Sequence, residues 1–483
     1  MNRNLAALKP ALVWKHFAEI VRIPRPSHHE EAIRRYVLDF ARSRGLEAFE
    51  DEAHNVHVRK LATKGMENRK GVILQAHLDM VPQKNNDKEF DFTKDPIDAY
   101  IDGGWVTADG TTLGADNGIG VAAILAVLED RTLKHGPLEA LFTATEETGM
   151  AGAFGLKKGL LKGDILLNLD SETEGELYVG CAGGLDANIR FRSVPEPTPA
   201  RNYTAATVAV KGLKGGHSGI QIVCQRANAN KLLFRFLNAA PCEVLLASVD
   251  GGGLRNAIPR EAYAVFAVPS GSKAGFEAFY KEFAGELAAE AKFREPNFKI
   301  GIEEVPAASV IDAATQRNLL YALVGLPNGV IEMSLAMPGL VETSTNLASV
   351  KFEGDDRIVV TTSQRSSVES AKVYASQMIE SVFALAGAEV SHSEGYPGWA
   401  PNPQSKLLEI TVASYEKLFG VKPKVRAIHA GLECGLFLEK YPHLEMVSFG
   451  PTLRGVHSPD ERLEIATVPK FWDLLADILK KVE

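Results

Sequence analysis

Histidines and carboxylates recur in this chain where apolar, strand-like runs stop. His77 and Asp79 follow Gly71–Ala76 (G-V-I-L-Q-A), Glu146 and Glu147 follow Leu138–Thr145 (L-E-A-L-F-T-A-T), and Asp170 follows Ile165–Leu169 (I-L-L-N-L). Asp116 lies in a glycine-rich turn, Gly114–Gly120 (G-A-D-N-G-I-G), ahead of a helical pattern. Imidazole nitrogens and carboxylate oxygens are the donors that Zn2+ takes, and a carboxylate not spent on a cation can move protons. A metal centre that activates water is the chemistry this set supports.

Each member also has a plainer explanation. His77 and Asp79 are two apart, so at a strand end their side chains leave the same face, and Asp79 can orient an imidazole that His77 offers to a metal. Alone, the pair fits a structural histidine equally well. The turn at Asp116 departs from both G-x-G-x-x-G and the lysine-bearing phosphate loop, which disfavours a nucleotide cradle. The alternative is a tight turn that presents Asp116 to a cation, with both oxygens free to bridge two. Glu146 and Glu147 would repel each other without a cation or solvent between them. The small-residue turn Thr148–Gly152 (T-G-M-A-G) behind them admits close approach, so one ligand and one general base is a more economical reading than a surface turn. Asp170 is a further ligand or a helix N-cap. His457, in Phe449–Arg462 (F-G-P-T-L-R-G-V-H-S-P-D-E-R), is a ligand or a surface histidine.

These groups converge only if the runs that carry them lie side by side. Short buried runs alternating with helical patterns indicate an open α/β sheet, whose functional groups collect beyond the carboxyl ends of its strands. Helices are expected near Val13–Val21, Glu30–Arg44 and Ile119–Leu128, and strands near Ala53–Arg59 and Gly71–Ala76. Ser193–Ala200 (S-V-P-E-P-T-P-A) interrupts this pattern. Beyond it, a strand at Ala205–Val210, a helix at Arg226–Ala239, strands at Glu243–Ser248 and Ala262–Val268, a helix at Phe276–Ala291 and a strand at Phe298–Val305 are expected. That β-α-β-β-α-β order is the split, ferredoxin-like arrangement. Helices at Ala313–Leu323 and Val368–Ala386 with intervening strands suggest a second, incomplete unit of that type. Pro397–Pro403 (P-G-W-A-P-N-P) marks the return to the first pattern. The expected organisation is a discontinuous catalytic α/β domain, residues 1–187 with 397–483, and an inserted α+β domain, residues 188–396, for substrate binding or dimerisation.

Composition narrows the function classes. At 483 residues the chain exceeds what one core usually supports, and 45% hydrophobic with 24% charged residues is ordinary for a soluble globular protein. A net charge of -8 and the absence of a basic block argue against nucleic acid, which leaves a small-molecule substrate. Cys181, Cys224, Cys242 and Cys434 show no C-x-x-C spacing, so neither a zinc knuckle nor a disulfide framework is indicated. With no signal-like segment at Met1–Pro10 and no apolar stretch of membrane-spanning length, a cytoplasmic location without membrane association is the expectation.

Taken in order, the motifs resemble the M20 metallopeptidase family of dinuclear zinc exopeptidases and deacylases. They are A-H-L-D-M-V-P at 76–82, L-G-A-D-N-G-I-G-V-A at 113–122, T-E-E-T-G at 145–149, N-L-D-S-E at 168–172, G-G-H-S-G at 215–219 and G-V-H-S-P-D-E at 455–461. Within the family, the long insert, Q-R-S-S at 364–367 and H-A-G-L-E-C-G at 429–435 are most similar to members that cleave Xaa-His dipeptides such as β-alanyl-histidine. The resemblance implies two Zn2+ ions per subunit, with Mn2+ or Co2+ as substitutes. His77, Asp116 and Asp170 would hold one ion, and Asp116, Glu147 and His457 the other. Glu146 would be the general base, with Asp79 orienting His77. His217 of G-G-H-S-G would assist the substrate carbonyl, Arg365 would bind the substrate carboxylate, and Asn256 and Glu433 are further substrate contacts. The same resemblance implies a homodimer formed through the inserted domain. The other activities it admits are removal of an acyl group from an N-acyl amino acid and cleavage of di- and tripeptides with broader specificity.

Overall fold

The computed structural model describes residues 3–197, 202–306, 309–354 and 356–483; the end of the proline-bearing stretch, residues 198–200, lies outside them. The chain forms two compact units, one of Met1–Gly180, Pro401–Ala427 and Leu432–Glu483, the other of Cys181–Ala400 and Ile428–Gly431. The sequence boundary drawn after residue 187 falls within a strand, Gly183–Arg192, of the second unit. Among the described residues no helix is long and apolar enough to cross a membrane.

The first unit opens with helices α1 (Ala11–Ile20) and α2 (Glu31–Ser43), then strands β1 (Glu47–Glu50), β2 (Val56–Lys60), β3 (Val72–His77), β4 (Ala99–Asp102) and β5 (Trp105–Ala108). Helix α3 (Ala115–Glu129), β6 (Leu138–Thr143), α4 (Ala151–Gly155), β7 (Ile165–Asn168) and β8 (Glu176–Cys181) follow. The main sheet runs β1, β2, β6, β3, β7, then Glu445–Ser448, β8 and Lys424–Ile428. Every residue of β3 and β7 is buried, as expected of central strands covered on both faces, and α3 is apolar on nearly all sides because it too is enclosed.

β3 is parallel to both β6 and β7, with His77 opposite Thr143 and Gln75 opposite Asn168. Three adjacent strands therefore end on one edge of the sheet. The residues just beyond them, Asp79, Glu146, Glu147 and Asp170, emerge together there. A separate four-stranded antiparallel sheet orders Leu453–Arg454, Arg462–Glu464, β5 and β4. Its pairing of Leu463 with Val106 joins the hairpin that carries His457 to the strand that leads into the Asp116 turn.

In the second unit the ferredoxin-like order is observed: Lys299–Glu304, Tyr203–Lys211, Ala262–Pro269 and Leu245–Gly252 are successive neighbours in one antiparallel sheet. The strands beyond do not form a unit of their own. Val341–Glu353 pairs with Leu245–Gly252 through Gly251 and Val350, so that Arg357–Ser366, Gly183–Arg192 and Glu389–His392 extend the same sheet. Helices Ala229–Asn238, Lys273–Ala291, Ala313–Gly325 and Glu369–Leu385 bury Phe234, Phe236, Leu319 and Phe383 in one core with its strands.

Candidate metal centre

At the sheet edge two triads share one residue. His77, Asp116 and Asp170 form one and Asp116, Glu147 and His457 the other, each set with ligand-type atoms within 4.8 Å of one another. Nε2 of His77 lies 3.1 Å from Oδ1 of Asp116 and 3.3 Å from Oδ1 of Asp170. Nε2 of His457 lies 3.1 Å from Oδ2 of Asp116 and 3.1 Å from Oε2 of Glu147. Asp116 thus gives one oxygen to each set. Two ligands on a tetrahedral Zn2+, each about 2.0–2.1 Å from the ion, stand roughly 3.3 Å apart, so these separations suit donors around common cations. His77, Glu146 and Glu147 form a further overlapping group, which places Glu146 beside both sets.

The electrostatics point the same way. Burial, reinforced by Asp116 and Glu147, pushes the Asp170 carboxyl up to about 6, although its buried Oδ1 faces the His77 ring. Glu146 is held well above the carboxylate range by burial and by the charges of Asp170, Glu433 and Glu147. Hydrogen bonds to Asp116 and Glu147 push His457 up to about 11. For His77, burial opposes the charged ring, yet Asp170, Asp116 and Asp79 outweigh it and hold the imidazole well above its ordinary range. A concentration of buried acceptors that raises the proton affinity of Asp170, Glu146, His77 and His457 is short of positive charge, and divalent cations would supply it.

Several supporting residues escaped the sequence reading. Nδ1 of His77 faces the backbone carbonyl of Asp79 at 3.2 Å and its Oδ1 at 3.4 Å. The Asp79 carboxylate also accepts the Glu146 N–H at 2.9 Å, the Glu147 N–H at 3.1 Å and the Ser27 hydroxyl at 2.8 Å. It therefore fixes the glutamate turn as well as the histidine. Thr145, in the left-handed region at φ 54, donates to the buried Glu30 at 2.6 Å. Helix α2 is thus tied to the same turn. Arg25, Ser27 and Glu30 stand close together in R-P-S-H-H-E, a cluster whose only sequence signal was its polarity ahead of a helix.

The sequence profile of peptidase family M20/M25/M40 matches residues 73–481, a span that includes every member of both triads. The chain belongs to peptidase family M20. Cytosol non-specific dipeptidase of Escherichia coli (strain K12) is 46% identical to it over 482 residues, 99% of this chain and 99% of that protein. The crystal structure of aminoacylhistidine dipeptidase from Vibrio alginolyticus matches with a TM-score of 0.94 and 47% identity, over 99% of this chain and 98% of that one. A Staphylococcus aureus subsp. aureus Mu50 tripeptidase, at 16% identity and a TM-score of 0.57 over 98% and 99% of the two chains, shares the fold.

The remaining candidates of this M20 peptidase belong to neither triad. Glu433 belongs to the first unit and is buried: its Oε2 accepts from Gln75 at 2.6 Å and Thr143 at 2.9 Å, while Oε1 has no partner among the described residues. His217, Asn256 and Arg365 belong to the second unit. Nδ1 of His217 accepts the N–H groups of Gly219 at 3.0 Å and Ile220 at 3.2 Å, which leaves the ring proton on Nε2. Burial and the charge of Arg365 keep this imidazole below its ordinary pKa, so it is neutral. Arg365 is buried, donates to Tyr396 at 2.6 Å and has no partner for Nε among the described residues, so a surface ion pair is not its role. His429 meets the Ser344 hydroxyl at 2.7 Å, and burial and Arg365 lower it to about 3. Asn256 is exposed and its carbonyl receives the Ser218 N–H at 2.8 Å.

Proposed function

We propose that this M20 peptidase is a dipeptidase that hydrolyses Xaa-His dipeptides, β-alanyl-histidine among them, with two Zn2+ ions per subunit. The observation that carries this reading is the sharing of Asp116 between two triads, with Glu146 beside both and outside either. Similarity over the whole chain to a cytosol non-specific dipeptidase and to an aminoacylhistidine dipeptidase supports the substrate class.

His77, Asp116 and Asp170 would hold one ion, and Asp116, Glu147 and His457 the other. Bound there, the ions would supply Lewis acidity that makes water a nucleophile near neutral pH and polarises the scissile carbonyl. Glu146 takes a proton from the attacking water as the new C–O bond forms, and returns it to the amine nitrogen as the C–N bond breaks. A buried carboxyl with raised proton affinity is suited to that exchange. Asp79 holds both His77 and the backbone of Glu146 in place.

Residues of the inserted unit have the remaining chemistry, and their roles are read from that chemistry. His217, neutral with its proton on Nε2, can donate to the oxygen that gains negative charge. Arg365, a buried guanidinium whose Nε has no partner among the described residues, suits the carboxylate of a dipeptide. Asn256 and Glu433 are further candidates for contact with the dipeptide, and the inserted unit is the proposed surface of a homodimer.

The test is metal analysis of the purified protein combined with a substrate panel. Rates on β-alanyl-histidine and other aminoacyl-histidines are compared with those on dipeptides lacking histidine and on N-acetyl and N-succinyl amino acids. Faster turnover of Xaa-His dipeptides is expected. Equal rates on all dipeptides would remove the histidine preference, and activity confined to acylated amino acids would overturn the dipeptidase reading.

A further inference from the structure

Two buried side chains of opposite charge grip the segment that carries Asp116 without belonging to either triad. Arg25 is 1% exposed and Glu461 is 2% exposed. Oε2 of Glu461 accepts the N–H groups of Leu113 at 2.8 Å and Gly114 at 3.0 Å, and Oε1 accepts those of Ala115 at 2.7 Å and Asp116 at 3.2 Å. Four consecutive amides thus converge on one carboxylate, as they would on a bound anion. From the other side Arg25 donates to the carbonyls of Leu78 and Asp79, each at 2.8 Å, and to that of Gly114.

This accounts for the glycine-rich turn, which in the sequence was open to reading as a phosphate cradle. The anion that its amides hold is the chain's own Glu461. Its glycines make room for the cation: a Cβ at Gly114, where φ is +69°, or at Gly118 would come within 2.7 Å of the Arg25 guanidinium. Neither buried charge would be tolerated without such partners. Arg25 also joins the Asp116 segment to the backbone at Leu78 and Asp79, next to His77. Glu461, four residues after His457, joins it to the hairpin of the other histidine.

We propose that Glu461 is a positioning residue for the metal centre, acting with Arg25. It fixes the backbone at Asp116 so that the two carboxylate oxygens fall in different triads. The inference rests on the two-ion reading of the site.

Glu461→Gln tests it, because the amide keeps the shape but turns one acceptor oxygen into a donor that faces two N–H groups. Glu295→Gln is the control: Glu295, in the second unit, is 1% exposed and accepts the N–H groups of Lys214 at 2.7 Å and Ala227 at 3.0 Å. Zn2+ stoichiometry and affinity are measured on the full chain by calorimetric titration after chelation, alongside kcat, KM and thermal unfolding. Glu461→Gln is expected to bind its second ion roughly ten- to a hundredfold more weakly, the usual effect of losing a group that orients a ligand. Its kcat should fall more than KM changes, whereas Glu295→Gln should lose thermal stability and keep both ions. Arg25→Lys, which keeps the charge and loses the guanidinium fork, should repeat the loss of the second ion if Glu461→Gln fails to fold. Wild-type affinity for both ions in either folded variant, or an equal loss in Glu295→Gln, would overturn the positioning role. A wild-type protein that binds fewer than two ions would instead defeat the two-ion reading beneath it.

Discussion

Nε2 of His457 lies 3.1 Å from Oδ2 of Asp116, although 341 residues separate the two in sequence. The approach is made by the small antiparallel sheet, in which Arg462–Glu464 pairs with β5, the strand leading to Asp116. His457 itself stands in the left-handed region at φ 60, a conformation that costs a non-glycine residue energy and persists where the surroundings impose it. His457→Ala should therefore remove one triad and leave the other. Elemental analysis after dialysis is expected to give about one zinc per chain in place of two, with unfolding little changed in the chelated protein. Retention of two tightly bound ions would remove His457 from the ligand set.

The proposed mechanism gives the neighbours Glu146 and Glu147 different work, and substitution should separate them. Glu146→Gln is expected to keep its metal and lose turnover by roughly a hundredfold or more, as loss of a general base does. Glu147→Gln should lower metal occupancy first, and added Zn2+ should restore part of its activity. Identical metal content and identical loss in both variants would contradict this division.

Much of the centre was legible because β3, β6 and β7 are parallel strands buried on both faces. Such strands read as apolar runs, and the first polar residue after each run is a candidate for the sheet edge. The strand periods of the inserted unit were legible for a different reason: its antiparallel strands bury alternate residues, as Ala206, Val208 and Val210 do. Arg25 and Glu461 were not legible. A charged residue in a polar loop has the same appearance in sequence whether it meets water or four backbone amides. Only the meeting of the Gly114 turn with the His457 hairpin makes Glu461 a buried group. The spacing alone makes Asp79 a partner for His77, but its hold on the Glu146 and Glu147 amides depends on the adjacency of β3 and β6, which the sequence does not state.

Acid should weaken the first unit through His16 as well as through the metal centre. His16 is buried on α1 against Phe40 and meets Glu129 at 2.7 Å. Burial lowers its pKa to about 4 from 6.5, despite the attraction of Glu129. The unfolded chain therefore binds a proton between those values that the folded chain refuses. The stability involved is fully present above pH 6.5 and is lost as pH falls to about 4, by an amount on the order of 3 kcal/mol. Thermal unfolding of wild type and His16→Gln from pH 7 to pH 4 measures it. The gap between the two should narrow as pH falls, and a gap that widens would reverse the sign.

A buried chain of side-chain hydrogen bonds crosses the main sheet and ends on Glu433. The Ser171 hydroxyl meets Ser448, Ser448 donates to Asn168, Asn168 donates to Gln75, and Gln75 donates to Glu433 at 2.6 Å and to Thr143 at 3.1 Å. Because the amide nitrogens of Asn168 and Gln75 can only donate, the direction of these bonds is fixed toward Glu433. Burial, reinforced by Asp170 and Asp79, pushes that carboxyl up to about 8 even with the donors in place. Gln75→Leu keeps the volume near that of glutamine while leaving Glu433 short of a donor and Asn168 short of an acceptor. Two buried groups without partners cost about 2–6 kcal/mol together, so a clear fall in the urea midpoint of the first unit is expected. Gln75→Glu should be worse at pH 8 than at pH 6, since ionised carboxylates would then face each other across the same 2.6 Å contact. Equal stability of wild type and Gln75→Leu would mean that the chain of bonds contributes nothing to holding Glu433.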